Sequence, residues 1–290
     1  MRIALISTIL TLYTAALLYP FNWPVEERII TTTFAANREG SFFKGLDMAG
    51  PEQEVHPIAE GELIFYHEEK GSGFSLPSGL GSFSVIEHEG GIKSVYAHLK
   101  RGSVEKNKLY LETEDVIGVL GDTGRSYGKH LMLVIMDPEL KQIVNPLVVL
   151  SAAPDEKNPV IKDVFFKTEK ELVRAERRVK MEPGTVTIIA GVYDLQTDSR
   201  YFFPLTPYKV SVFINGVLTF HITFEALKEM EEGRLVLAQS DNRRFKDLYY
   251  NSEYFILGEI KINPGETRIE IIVKDVADNE TSTLIIINAS

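Results

Sequence analysis

His130 and Met132 stand two residues apart in the run SYGKHLMLVIMD, residues 126–137, which reads as a strand entered from a glycine turn. On a strand, residues two apart share a face, so His130 and Met132 project together while Leu131 and Leu133 face the core. A His-x-His pair on a cleft face could hold or serve a metal. A His-x-Met pair is a poorer start, because a thioether is a soft neutral ligand suited to copper(I) and weak for zinc. On these residues alone the segment reads as a buried strand whose methionine fills space. The chain has six histidines and no cysteine, which removes disulfides, thiolate zinc sites and thiol nucleophiles from consideration. His67 and His88 flank turns, and His221 in LTFHITF reads as a sheet residue. HEEK and EMEE read as solvated charge clusters rather than paired catalytic carboxylates. The glycine-rich stretch GSGFSLPSGLGSF, residues 71–83, lacks the Lys-Ser/Thr and the following helix that a phosphate loop requires.

The elements around these residues are short β-type runs broken by turns. A chain of 290 residues, 44% hydrophobic and 25% charged, is long enough for two folded domains. Its net charge of -10, with Lys and Arg scattered, argues against nucleic acid or an anionic membrane surface as the main partner. The first run, MRIALISTILTLYTAALLYP, has one Arg and then an uncharged apolar stretch over 3–19. That pattern resembles a secretory signal, with small residues for cleavage after Ala16, and is just long enough for an uncleaved membrane anchor. Residues 1–18 are therefore expected to be a signal peptide or anchor, with the rest of the chain outside the cytoplasm, in the periplasm or cell envelope. Residues 19–150 form a first domain of runs such as GELIFYH, SFSVIEHEGGIKSVYAHL and DVIGVLGDTG, where HEGG is a hairpin signal. SAAPDEKNPV, residues 151–160, reads as the linker. Over 161–290 the alternating runs return with NG and PGE turns, which predicts a β-sandwich. FEALKEMEEGRLV, residues 224–236, is the one helical candidate of that half. The fold class is all-β.

Three ordered pieces of the first domain resemble the lysostaphin/LytM-type zinc endopeptidases, which cut peptide cross-links in bacterial cell walls. They are FKGLD (43–47), YAHL (96–99) and GDTGRSYGKHLML (121–133). The family pattern is His-x-Gly-(Ile/Leu)-Asp, then Tyr-Ala-His-Leu, then a glycine-rich turn into His-Leu-His-Phe. AEGELIFY and VIGVLG lie between, and TTTFAANREGSFFKGLDMAG resembles the family's entry segment, with Ser41 and Phe43 at its two histidine positions. The resemblance implies a LytM-like, duplicated-hybrid-motif domain over about 120 residues. The ending IEIIVKDVADNETSTLIIIN resembles the closing hairpin of immunoglobulin-like bacterial domains, in which Asp and Asn cap their own turn.

Carried over by position, the family's three zinc ligands are Phe43, Asp47 and Met132, of which only Asp47 keeps a good zinc-binding side chain. His98 and His130 match the histidines that flank the metal-bound water in active relatives. Arg38, Ser126 and Tyr96 are expected at the groove, and residues 71–83 at its rim. A catalytic zinc needs three protein ligands plus an open position, so losing two imidazoles should abolish zinc binding, and a dry contact of Phe43 on the Met132 sulfur is expected to seal the site. The implied protein is an exported, inactive homologue with no cofactor, binding peptidoglycan stem peptides or a cell-wall amidase. Two alternatives stand beside it: an active zinc endopeptidase using Asp47, His98 and His130, and a structural envelope protein.

Overall fold

The computed structural model describes residues 21–69, 78–196, 202–239 and 241–290. The expected signal or anchor, 1–18, lies outside the described residues, as do 70–77 of the glycine-rich stretch. Among the described residues no helix is long and apolar enough to cross a membrane.

Alternation builds the first domain. Its main sheet runs, strand by hydrogen-bonded strand, through Tyr110–Leu111, Gly61–His67, Ser82–Glu87, Lys93–Leu99 and His130–Asp137. The strand Leu46–Ala49 lies along the other edge of His130–Asp137, with Met132 opposite Asp47 and His130 opposite Ala49. Ile29–Thr32 then pairs with Leu46–Ala49. One face of these strands is core: Leu46, Met48, Tyr96, Leu131 and Leu133 are each 0% exposed. The other face carries Asp47, Met132 and His130, as the period of two requires. The HEGG signal becomes the connection between Ser82–Glu87 and Lys93–Leu99, which pair antiparallel.

The second domain is a two-layer β structure. One sheet has the order Leu172–Arg174, Val160–Lys167, Gly184–Tyr193, Phe255–Ile262, and the other Arg178–Met181, Glu280–Ala289, Gly265–Lys274, Lys209–Ile214, Val217–Thr223. Phe166, Ile188 and Leu257 from the first sheet and Val210, Ile271 and Ile287 from the second share one buried cluster. The Asn215-Gly216 turn has positive φ at both residues and closes the hairpin Lys209–Ile214 to Val217–Thr223, as a type I′ turn should. At the closing hairpin, Asp275 Oδ1 accepts from the backbone N–H of Ala277 and of Asn279, while Asn279 Nδ2 donates to Asp275 Oδ2 at 2.7 Å.

The helix expected over 224–236 is absent. Ala226–Glu229 and Leu235–Leu237 are strands of a hairpin, and the first pairs with Gln142–Val144 of the other domain. Arg243–Arg244 extends the same sheet. Strand pairing wins because Ala226, Leu227, Val236 and Leu237 all become buried there, burial that a helix decorating a loop would not supply. The sheet of the first domain thus continues into the chain of the second. Asn145 reinforces the seam: its N–H donates to Glu225 O at 2.8 Å and its Nδ2 to Phe224 O at 2.7 Å.

Candidate functional site

A two-residue hairpin places the first two groups. Asn37–Arg38 pairs with Ser41–Phe42, and the turn residues Glu39 and Gly40 both have positive φ. Gly40 N–H donates to Asn37 Oδ1 at 3.1 Å, and Ser41 Oγ donates to Arg38 O at 2.8 Å. These bonds fix Arg38 on one side of the hairpin. Phe42 goes the other way, into the core cluster of the second domain, edge-on to Phe245 at 5.2 Å. Phe43 follows, 3% exposed, its N–H donating to Ala36 O at 2.8 Å.

Asp47 is 2% exposed. Its Oδ2 accepts from the Arg38 guanidinium at 2.8 Å, and that same guanidinium lies 4.2 Å above the centre of the Phe43 ring. One face of the Phe43 ring is thus covered by this cation. Asp47 Oδ1 is buried with no hydrogen-bond partner and lies 3.8 Å from His130 Nε2. Burial is the largest influence on this carboxyl and raises its pKa; His130 and Arg38 pull it back down.

His98 and His130 are brought together, their rings 4.6 Å apart. Each is oriented by a backbone carbonyl. His98 Nδ1 is 2.8 Å from Thr123 O, and His130 Nδ1 is 3.0 Å from Gly128 O; a carbonyl can only accept, so both Nδ1 atoms carry a proton, and a ring in its neutral form then presents a lone pair at Nε2. Burial lowers the pKa of His98, which favours that neutral form. Ser126 Oγ donates to Gly128 O at 2.6 Å and lies 3.1 Å from His130 Nδ1, so it shapes the loop beside the histidine.

His98 reaches His130 through an irregularity. Between Tyr96 opposite Ser84 and Leu99 opposite Ser82, three steps on one strand face two on its neighbour, and His98 has φ +65°. A bulge of this kind re-aims a side chain. It also explains a correction: Tyr96 does not line the groove. It is 0% exposed, and its hydroxyl oxygen accepts from Ile58 N–H at 2.8 Å and Ser94 Oγ at 2.9 Å.

Thr123 is the site residue that motif reading missed. Its Oγ1 donates to Leu99 O at 2.6 Å and accepts from Ser82 N–H at 2.9 Å, while its carbonyl orients His98. The two loops it joins touch through glycines: a Cβ on Gly81 would come within 2.3 Å of Thr123 C, and one on Gly124 within 2.3 Å of Gly81 N. No local signal reports such a contact between loops.

A cavity of about 420 Å³ opens in front of these groups, lined among others by Arg38, Asp47, Lys129, His130 and, from the second domain, Phe203. Phe203 is held there because Thr206 N–H donates to Thr33 Oγ1 at 2.7 Å and Ile30 N–H to Gln196 Oε1 at 2.9 Å. The positions that the resemblance assigns to zinc hold one carboxylate, one phenyl ring and one thioether. That donor set does not fit zinc, which takes nitrogen, thiolate and carboxylate ligands in a tetrahedron. Among the described residues the one trio of acidic or histidine side chains whose ligand atoms all lie within 4.8 Å is Asp155, Asp194 and Asp275, in the second domain and its approach.

Comparison with known proteins agrees with the motifs. Residues 41–146 match the model of peptidase family M23. The DD-carboxypeptidase/endopeptidase Mpg of Neisseria meningitidis is 33% identical over 113 residues, which cover 38% of this chain and 23% of that protein. The chain thus spans less than a quarter of the length of this relative. Among solved structures, a zinc-containing peptidase from Vibrio cholerae is 25% identical with a TM-score of 0.38, covering 47% of this chain and 41% of that one. The catalytic domain of lysostaphin from Staphylococcus simulans is 20% identical with a TM-score of 0.32, covering 38% and 80%. Residues 41–146 are therefore a peptidase family M23 domain of the LytM/lysostaphin type.

Proposed function

We propose that the chain is an exported, non-hydrolytic M23-domain protein that takes a peptidoglycan stem peptide, or a partner cell-wall hydrolase such as an amidase, in the cavity beside His130, without a metal. The observation that carries this reading is the fate of the ligand positions: Phe43 and Met132 supply no zinc-binding nitrogen, so that of the three only the carboxylate of Asp47 is a good zinc ligand. Hydrolysis by such a site needs a metal to generate the nucleophile at neutral pH. What is kept is a walled groove lined by His130, which is backed by the buried His98, and such a groove suits recognition. Export is supported by the apolar run over 3–19, and an immunoglobulin-like identity for the second domain by its two sheets and its Asp-x-x-x-Asn turn. The test is incubation of the purified chain with purified peptidoglycan: the protein should sediment with the polymer and release no peptide fragments. Fragment release that grows with protein concentration overturns the reading.

One observation favours a second reading. Asp47 Oδ1 is buried without a partner and faces His130 Nε2 at 3.8 Å, with His98 alongside. A metal drawn to Asp47, His98 and His130 would satisfy that oxygen and restore a zinc endopeptidase. Under that reading His130→Ala abolishes cell-wall hydrolysis; under the one preferred here there is no hydrolysis to lose.

A further inference from the structure

We infer that the second domain carries a saccharide subsite: a cavity beside the groove, walled by Tyr193 and Phe202, that takes a neutral sugar ring of the glycan strand while the attached stem peptide lies against His130. This rests on the stem-peptide reading above and deepens it, because it names the part of the polymer that the second domain meets.

A second cavity, of about 530 Å³, lies between the domains, a size and a place usual for ligand sites. It meets the first cavity at Thr31 and Thr32, which line both. These residues end the strand Ile29–Thr32, whose partner is Leu46–Ala49; its other edge faces the second domain, where Ile30 N–H donates to Gln196 Oε1. Neighbouring residues serve the two sides. Phe203 lines the first cavity and Phe202 and Pro204 the second, and on the hairpin Arg38 lines the first and Asn37 the second. One ligand with two joined parts can therefore fill both.

Charge sorts the parts. The first cavity is lined by Arg38, Glu39, Asp47, Arg125, Lys129 and His130, which suits the charged ends and side chains of a peptide. The charged residues lining the second are Lys162 and Glu253, paired with each other at 3.0 Å, so it offers a ligand no net charge. Its wall is aromatic. Phe202 is 67% exposed and meets Tyr193 edge-on at 5.6 Å, which leaves ring surface open to the cavity, while Tyr249 and Phe255 lie deeper, buried and 4.7 Å apart. Thr31, Thr32, Asn37 and Ser252 add hydroxyl and amide groups. A hydrocarbon ligand would strip water from those groups and return no hydrogen bond, and a second charged peptide would meet no counter-charge. A neutral sugar ring matches both features: its C–H faces lie on aromatic rings, and its hydroxyl and acetamido groups exchange hydrogen bonds with the polar rim. In peptidoglycan the sugar and the stem peptide are covalently joined, so the paired cavities fit one ligand.

The experiment is isothermal titration calorimetry of the full chain with two probes, a stem tetrapeptide and the same tetrapeptide carried on its disaccharide. The disaccharide-peptide should bind about 100-fold more tightly, the lower end of the gain from linking two sites. Phe202→Ala, at an exposed position, should remove that advantage by weakening the disaccharide-peptide and leaving the free peptide unchanged. Ser252→Trp, which fills the cavity from its exposed rim, should do the same. Equal affinities for the unaltered chain, or an advantage that survives both variants, overturn the proposal and leave the stem-peptide reading intact. Binding of neither probe overturns that reading itself and this proposal with it, so the two failures are told apart.

Discussion

At the scale of single residues, the site depends as much on a threonine as on its histidines. Thr123 Oγ1 bonds two backbone groups and its carbonyl fixes His98. Thr123→Val keeps the shape and leaves Ser82 N–H and Leu99 C=O without that partner. The expected cost is about 1–3 kcal/mol, read as a shift of the urea midpoint, and an unshifted midpoint would contradict it. What could be read from sequence at this scale followed from side-chain type. Leu131 and Leu133 face the core and His130 and Met132 the cleft because strand period dictates it. Tyr96 escaped that logic because a bulge intervenes between it and His98, and a bulge is set by pairing with Ser82–Glu87 that the motif YAHL does not contain.

At the scale of elements, the hairpin 37–42 couples the two domains. Its inner side presents Arg38 to Asp47, while its outer side sends Phe42 against Phe245 and Tyr249, and the Tyr249 hydroxyl donates to Ala35 O at 2.9 Å. Phe42→Ala should cost about 3–5 kcal/mol by emptying a buried aromatic site. Chemical denaturation measures it, and a loss below about 1 kcal/mol would show the brace to be dispensable. The strands and their NG and HEGG turns were legible because alternation and turn chemistry are local. The segment 224–236 was not. Its Glu, Lys and Met spacing imitates a helix, and the strand that claims it, Gln142–Val144, lies about eighty residues earlier in the chain.

At the scale of the whole molecule, one sheet crosses from the first domain into the second, and Phe34, Ala35 and Phe42 of the first belong to the core of the second. The two should unfold as one cooperative unit. Calorimetry is expected to show a single transition, and two resolved transitions would contradict the shared sheet as a structural bond. A second whole-molecule property comes from the approach between domains, where oxygens of Asp155, Asp194 and Asp275 converge within 4.8 Å. Burial first, and then the neighbouring carboxylates, push Asp194 up to about 7. A carboxyl whose folded pKa is raised favours folding when protonated, so its contribution is present at acid pH and is lost as pH rises from about 4 through about 7. Asp194→Asn should therefore be more stable than the unaltered chain at pH 8, with the gap closing toward pH 4. A gap that is constant with pH would contradict the raised pKa.

The central claim is that this M23 domain works without a metal, and elemental analysis of the purified chain, offered zinc during refolding and then dialysed, tests it most directly. The account predicts no retained zinc, as expected where Phe43 and Met132 hold ligand positions. Close to one zinc per chain would contradict it and return the site to Asp47, His98 and His130.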